Sequence, residues 1–261
     1  MVGTARCGRL FLVSVCVAAC LAGLVTRGNA GAAEVDPEFH IYLLIGQSNM
    51  AGRGKVDAES KKTHARVLML TKDLKWEPAT DPLHFDKPIA AVGPGLAFGK
   101  AMAEAAPKAR IGLVPCAVGG SRIAEWEPSA RNYGAMLKRT HEALNTGVLK
   151  GILWHQGESD VNSGASYGMQ LTKLIQNLRR DLNAPNVPFV AGELTAFTED
   201  DGPIGSFNAA LHGVSGKVPN YAWVPAQGLK DKGDKVHYDT ASARELGRRY
   251  AKKMLELQNG K

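Results

Sequence analysis

Short apolar runs recur along the chain, at residues 41–45, 67–70, 111–117, 151–154, 188–191 and 221–225. Runs of this length, bounded by polar turns, predict buried strands. Between most of them lie segments with apolar residues every three or four positions, at 96–106, 133–145, 167–182 and 241–257. In the third, Leu171, Leu174, Ile175 and Leu178 share one face, as an amphipathic helix requires. Strands alternating with helices imply βαβ units, a parallel sheet and helices on both of its faces. Sites in such sheets gather at the carboxyl ends of the strands. Residues 72–92, rich in Pro, Asp and Lys, read as a long surface loop. No repeat, low-complexity tract or long linker interrupts the pattern, so one domain is expected.

The first residues stand outside this pattern. Arg6 and Arg9 precede an apolar stretch at 10–25, followed by small residues at 28–33. A basic start, a short apolar core and an A-x-A-like site form the pattern of a cleaved export signal. Residues 1–32 are therefore read as the signal, cut after Ala30, Ala32 or Ala33, and 33–261 as the domain. A secreted or periplasmic location follows as an expectation. The apolar core is short for a stable membrane span. Lipoprotein anchoring at Cys20 is the weaker reading, because the residues after it stay apolar.

Composition narrows the function. The formal charge of +7 includes Arg6, Arg9 and Arg27, with no acid before Glu34, so the domain carries +4. Basic residues are not interleaved with aromatics in runs, and nucleic-acid binding is not expected. Cys7, Cys16 and Cys20 fall in the leader, which leaves Cys116 without a disulfide partner. Cys116 sits in an apolar run and reads as an inert buried thiol. The sequence leaves the oligomeric state open.

The apolar run 41–45 ends in Gly46-Gln47-Ser48-Asn49. The segment fails the P-loop pattern at Asn49 and Val56, the dinucleotide fingerprint at Asp57 and the G-x-S-x-G elbow at Met50. What remains is a serine presented at a strand end, either as a nucleophile or as a helix N-cap. A nucleophilic serine needs an imidazole held in the right tautomer by a carboxylate. His237 is the candidate base: it follows a loop, precedes the last helical pattern, and has Asp234 three residues ahead. Two stretches at other strand ends could donate to an oxyanion: Val118-Gly119-Gly120-Ser121, and the polar run from His155 to Asp160 that contains Gln156. His155, Glu158 and Asp160 could also be read as metal ligands, and Glu125, Glu127, Glu158 and Asp160 as glycosidase carboxylates. Neither reading uses the serine constellation. Trp126 either stacks on a sugar or closes the core.

Together "IGQSNMAGRG", "PCAVGGSRIAEWEP", "ILWHQGESD" and "GDKVHYDTASARELGRRYA" resemble the sialate O-acetylesterase-like (SASA) group, which includes the acetyl xylan esterases of carbohydrate esterase family 6, within the SGNH/GDSL hydrolases. The motifs span nearly the whole domain. The resemblance implies a flavodoxin-like three-layer α/β/α fold and an O-acetylesterase acting on acetylated oligo- or polysaccharide, with no cofactor and no metal. It implies Ser48 as nucleophile, His237 as base and Asp234 as its carboxylate. The oxyanion hole would use the Ser48 and Gly120 N–H groups and Gln156, which stands where the wider superfamily has asparagine. Glu158 is the alternative carboxylate, Asn49 would order the turn, and Gln47, Trp126 and His155 are candidate substrate-binding residues. The rival functions are a catalytically silent carbohydrate-binding protein and an esterase acting on a non-sugar ester.

Overall fold

The computed structural model describes residues 1–5, 35–197 and 202–260, apart from the side chain of Ala165. The export reading therefore falls mostly outside the described residues. No helix among the described residues is long and apolar enough to cross a membrane.

Residues 33–261 form one compact unit. Its elements run β1 (Asp36–Gly46), α1 (Ser48–Ala51), β2 (Val67–Leu70), β3 (Trp76–Pro78), α2 (Gly95–Ala105), β4 (Arg110–Pro115), α3 (Arg131–Leu144), β5 (Gly147–His155), α4 (Gly164–Asp181), β6 (Phe189–Gly192), α5 (Ile204–His212), β7 (Tyr221–Val224) and α6 (Thr240–Gln258). The seven strands lie in the order β3-β2-β4-β1-β5-β6-β7. All neighbours are parallel except β2 and the short edge strand β3. The architecture is the expected layered α/β fold.

β1 is central, and its side chains alternate between two cores. Ile41, Leu43 and Ile45 join Met136 of α3, Leu174 of α4 and Phe207 of α5. Tyr42 and Leu44 join Phe98 and Met102 of α2 and Leu246 and Met254 of α6 on the opposite face. Each such side chain, fully withdrawn from water, stabilises the fold by about 1.5–3 kcal/mol. A central strand buried on both faces therefore holds the end of β1 rigid, and the polar turn begins there.

Three elements were not predicted by the periodicity. α1 is a single turn of four residues. β3 is three residues long, too short to show a period. α5 lies in a glycine-bearing stretch without a full helical repeat. The expectation that 72–92 is a surface loop also needs correcting. It contributes β3, and Ala79, Asp81, Leu83 and His84 are buried. Burial pushes the Asp81 carboxyl up to about 7, outweighing the pull of Arg244, and its Oδ1 has no partner. A folded-state value above the unfolded one means the native chain binds the extra proton between about pH 4 and 7. Stability is thus lost as pH rises through that window. Asp81→Asn should remove this loss, gaining on the order of 2–4 kcal/mol at pH 7 and little at pH 4. Denaturant unfolding of both proteins at the two pH values checks it.

Candidate active site

The site is built where three neighbouring parallel strands end together. The ladder continues past the strands: Cys116 N–H donates to Leu44 O at 2.9 Å, Val118 N–H to Gly46 O at 2.9 Å, and Gln47 N–H to His155 O at 2.8 Å. The turns after β1, β4 and β5 are therefore held in register. Gly46 makes this possible. Its φ is 130°, and a Cβ there would stand 2.1 Å from His155 O. Gly46→Ala should destabilise the fold by about 3 kcal/mol or more, measurable by denaturant unfolding.

Ser48 opens α1, a single turn ended by Gly52 at φ 89°. Being first in the helix, its N–H has no intrahelical acceptor, and none is found for it among the described residues. Ser48 Oγ lies 3.0 Å from His237 Nε2. His237 Nδ1 lies 2.8 Å from Asp234 Oδ2. Asp234 sits in a tight turn in which its Oδ1 accepts from Val236 N–H at 3.0 Å and His237 N–H at 2.8 Å. Burial raises the Asp234 carboxyl, but the bonds from the His237 ring and backbone, Lys232 and Val236 outweigh it and hold it below the usual carboxylate range. An ionised Asp234 accepts from Nδ1–H, so Nε2 carries the lone pair and accepts from the Ser48 hydroxyl.

Asn49 connects the two distant halves of this relay. Its Oδ1 accepts from Tyr238 N–H at 3.1 Å, and its Nδ2 donates to Val236 O at 3.0 Å. The amide thus grips the backbone on both sides of His237. The same Nδ2 donates to Glu158 Oε1 at 2.5 Å. Burial raises the Glu158 carboxyl, and its Oε2 has no partner. Glu158 thus touches the amide that holds His237, while the ring nitrogen itself is taken by Asp234.

The turn after β4 brings Gly120 beside the turn after β1. Gly119 N–H donates to Asp86 Oδ2 at 2.8 Å, and Gly120 O accepts from Ser159 Oγ at 3.2 Å. Asp86 is in turn paired with Arg53 at 3.3 Å, both side chains nearly inaccessible. Gly120 N–H has no acceptor among the described residues. Arg53 and Asp86 went unnoticed in the sequence; their only signal is a charged residue beside each of two glycine- or aromatic-bearing turns.

Four candidates are placed elsewhere than expected. Gln156 is fully buried, and its Nε2 faces Gln47 Oε1 at 3.1 Å, Ser121 O at 3.0 Å and Asp160 Oδ2 at 2.6 Å. A carboxamide has two N–H bonds, and both are taken by these acceptors. Gln156 therefore donates into the framework and not to the space beside Ser48. Trp126 is 1 % exposed, packs edge-on against Trp154 and donates to Ser121 Oγ. It closes the core and offers no face to a sugar. His155 is fully inaccessible, its Nδ1 meets Tyr250 Oη at 3.1 Å, and burial pushes it down to about 3. It is a neutral core imidazole. Gln47 is also buried, its Oε1 accepting from Gln156 and from Gly157 and Ser159 N–H. It ties the ends of β1 and β5 together.

The model of the family described as carbohydrate esterase, sialic acid-specific acetylesterase, matches residues 38–256. The chain belongs to that family. It is 39% identical over 234 residues to a probable carbohydrate esterase of Arabidopsis thaliana, covering 81% of this chain and 88% of the relative. A solved structure of an Arabidopsis thaliana protein superposes with a TM-score of 0.77 at 38% identity, covering 85% of this chain and 99% of that one. A carbohydrate acetylesterase from Xanthomonas citri matches at a TM-score of 0.64 and 20% identity, over 85% of this chain and 56% of its own. An acetyl-xylooligosaccharide esterase from Geobacillus shares the fold at a TM-score of 0.52 and 12% identity, over 84% and 95% of the two chains. The esterase family thus has the fold expected from the alternation of strands and helices.

Proposed function

We propose that this carbohydrate esterase is a serine O-acetylesterase that works through an acetyl-enzyme. The observation that carries the reading is the Ser48–His237–Asp234 relay standing beside two backbone N–H groups, of Ser48 and Gly120, that have no acceptor of their own among the described residues. His237 Nε2 takes the hydroxyl proton as Ser48 Oγ attacks the acetyl carbonyl. The carbonyl oxygen becomes an oxyanion, and the Ser48 and Gly120 N–H groups are the donors available to it. Collapse breaks the bond to the sugar oxygen, which leaves with the proton from His237. Water, deprotonated by His237, then attacks the acetyl-enzyme and releases acetate. Asp234 stays ionised throughout and stabilises the imidazolium. Asn49 acts as a positioning residue, fixing the backbone on either side of the imidazole.

Export of the domain, with residues 1–32 as its leader, is part of the same proposal. The acetylated glycan is the open variable. Acetate release from acetylated xylo-oligosaccharides, O-acetylated sialic acid and simple acetyl esters tests it, with Ser48→Ala as control. Release from a glycan that disappears in the variant supports the reading. A folded protein that releases no acetate from any of them overturns it.

A further inference from the structure

The two N–H groups offered to an oxyanion come from different strands. Ser48 opens α1 just after β1, and Gly120 lies in the turn after β4. The ladder between these strands ends with Val118 N–H on Gly46 O. Beyond it, Ser121 N–H on Val118 O at 3.2 Å closes the second turn on itself, with Gly120 at φ 82°. A donor aimed at a developing charge must be held in place before the charge appears.

A side-chain bracket spans what the backbone leaves open. Gly52, which ends α1, accepts from Ala91 N–H at 3.1 Å, and Gly54 and Val92 bond each other in both directions at 3.0 Å. The segment that begins at Asp86 is thereby stapled to the turn after α1. Arg53 donates to Gly52 O at 2.7 Å through Nη1 and pairs with Asp86 Oδ2 at 3.3 Å through Nη2. The same Oδ2 accepts from Gly119 N–H at 2.8 Å. Asp86 thus grips the chain one residue before the Gly120 N–H. The fit is close: a Cβ on Gly119 would run into Arg53 Nη2 and stand 2.9 Å from Asp86 Oδ2.

Stability does not account for this pair. The Arg53 and Asp86 side chains are 5 % and 3 % exposed, and Asp86 Oδ1 has no partner. Withdrawing two charges from water costs about as much as their attraction returns, so an apolar pair of the same volume would serve the fold as well. What an apolar pair lacks is an acceptor for Gly119 N–H.

We propose that Arg53 and Asp86 are positioning residues of the oxyanion hole. Asp86 fixes the direction of the Gly119–Gly120 backbone, and Arg53 anchors Asp86 to the end of α1 and cancels its charge. The proposal rests on the esterase reading above. Cancellation matters because a bare buried carboxylate so near the Gly120 donor would oppose the negative charge growing on the substrate oxygen. The Lys87 ammonium also stands near Gly120, but it is exposed and screened by solvent. Both members of the pair are too deeply buried to touch substrate, so they act only through the backbone they hold.

The test compares two double variants in the hydrolysis of a small acetyl ester. Both remove the two buried charges together, so neither leaves an orphan ion. Arg53→Met with Asp86→Asn keeps an acceptor for Gly119 N–H. Arg53→Met with Asp86→Leu has nearly the same shape and no acceptor. In both, Gly52 O keeps its bond from Ala91. The Leu pair is expected to lose about tenfold or more in kcat with KM within about twofold, because the misplaced donor acts in the transition state. The Asn pair should stay within about threefold of the wild type in kcat. A pair that only stabilised the fold would shift thermal midpoints without splitting these kcat values. If the Leu pair does not fold, Arg53→Met alone carries the test: its bare Asp86 should lower kcat about tenfold, and adding Asp86→Asn should restore it. Equal kcat in the two pairs, a loss confined to KM, or Arg53→Met as active as its Asn pair would each overturn the proposal. A folded wild type that hydrolyses no acetyl ester overturns the esterase reading and this proposal with it, an outcome distinct from variants that match an active wild type.

Discussion

Ser48→Ala is expected to lower kcat/KM for acetyl-ester hydrolysis by roughly 10⁴–10⁶-fold, with the thermal midpoint shifted by no more than about two degrees. The asymmetry follows from what the hydroxyl touches. Its one hydrogen bond in the structure runs to His237, and a single such bond contributes only about 0.5–1.5 kcal/mol net. The surrounding turn is held by other atoms, namely the Gln47 N–H on His155 O and the Asn49 amide on Val236 and Tyr238. The side chain therefore matters little to the fold and wholly to the proposed chemistry. His237→Ala should cost a similar factor, and combining the two should cost little more, since both remove the same nucleophile. Hydrolysis rates of purified variants at matched concentration decide it. A variant at Ser48 that kept even a hundredth of the activity would rule out the acetyl-enzyme route.

The second large effect separates the two carboxylates. Asp234→Asn should reduce kcat by roughly 10²–10⁴-fold, and Glu158→Gln by less than about tenfold. An amide at 234 can turn its N–H₂ toward Nδ1, which stabilises the tautomer with the proton on Nε2, and that nitrogen can then no longer accept from Ser48. Glu158 acts one residue further away, through Asn49, and Gln retains an acceptor for that amide. The bonds that hold the Asp234 carboxyl below its usual range also set a pH sign. Its ionised form prevails above the ordinary carboxylate value, and the relay is lost only as pH falls through the lowered one. Being about a third exposed, Asp234 makes this contribution mainly to catalysis and little to stability. Greater loss in Glu158→Gln than in Asp234→Asn would transfer the role to Glu158.

The fold was readable because it rests on periodicity. Alternating apolar runs of two periods placed six strands and four helices within a few residues of their observed ends. What escaped was short, such as β3, or spread too thinly over a few turns of helix, such as α5. Candidate site residues that the structure brings together were readable as far as they sit near element boundaries. Ser48 lies two residues past β1 and His237 three residues ahead of α6, so their position along the chain is also their position in space. Gln156 and His155 also stand at a strand end, and Trp126 in a short helical turn beyond β4, but a sequence does not say which way a side chain turns there. His155 is the last residue of β5 and still faces Tyr250. Gln156 comes one residue later and is captured by Asp160 and Gln47. The Asp86 contact to Gly119 spans 33 residues, across α2 and β4, and no local pattern encodes it.

The separation of 189 residues between Ser48 and His237 has a consequence for biosynthesis. On the ribosome β1 emerges early, but its neighbours β4 and β5, and the loop that carries the imidazole, are made later. The Asn49 clamp can close only when Val236 and Tyr238 have been added and α6 has docked against α2. A chain released short of this last segment carries the serine in its turn but lacks the imidazole proposed as its base. On the proposed mechanism, hydrolytic activity is the last property the growing polypeptide acquires, and its appearance during translation would time completion of the fold.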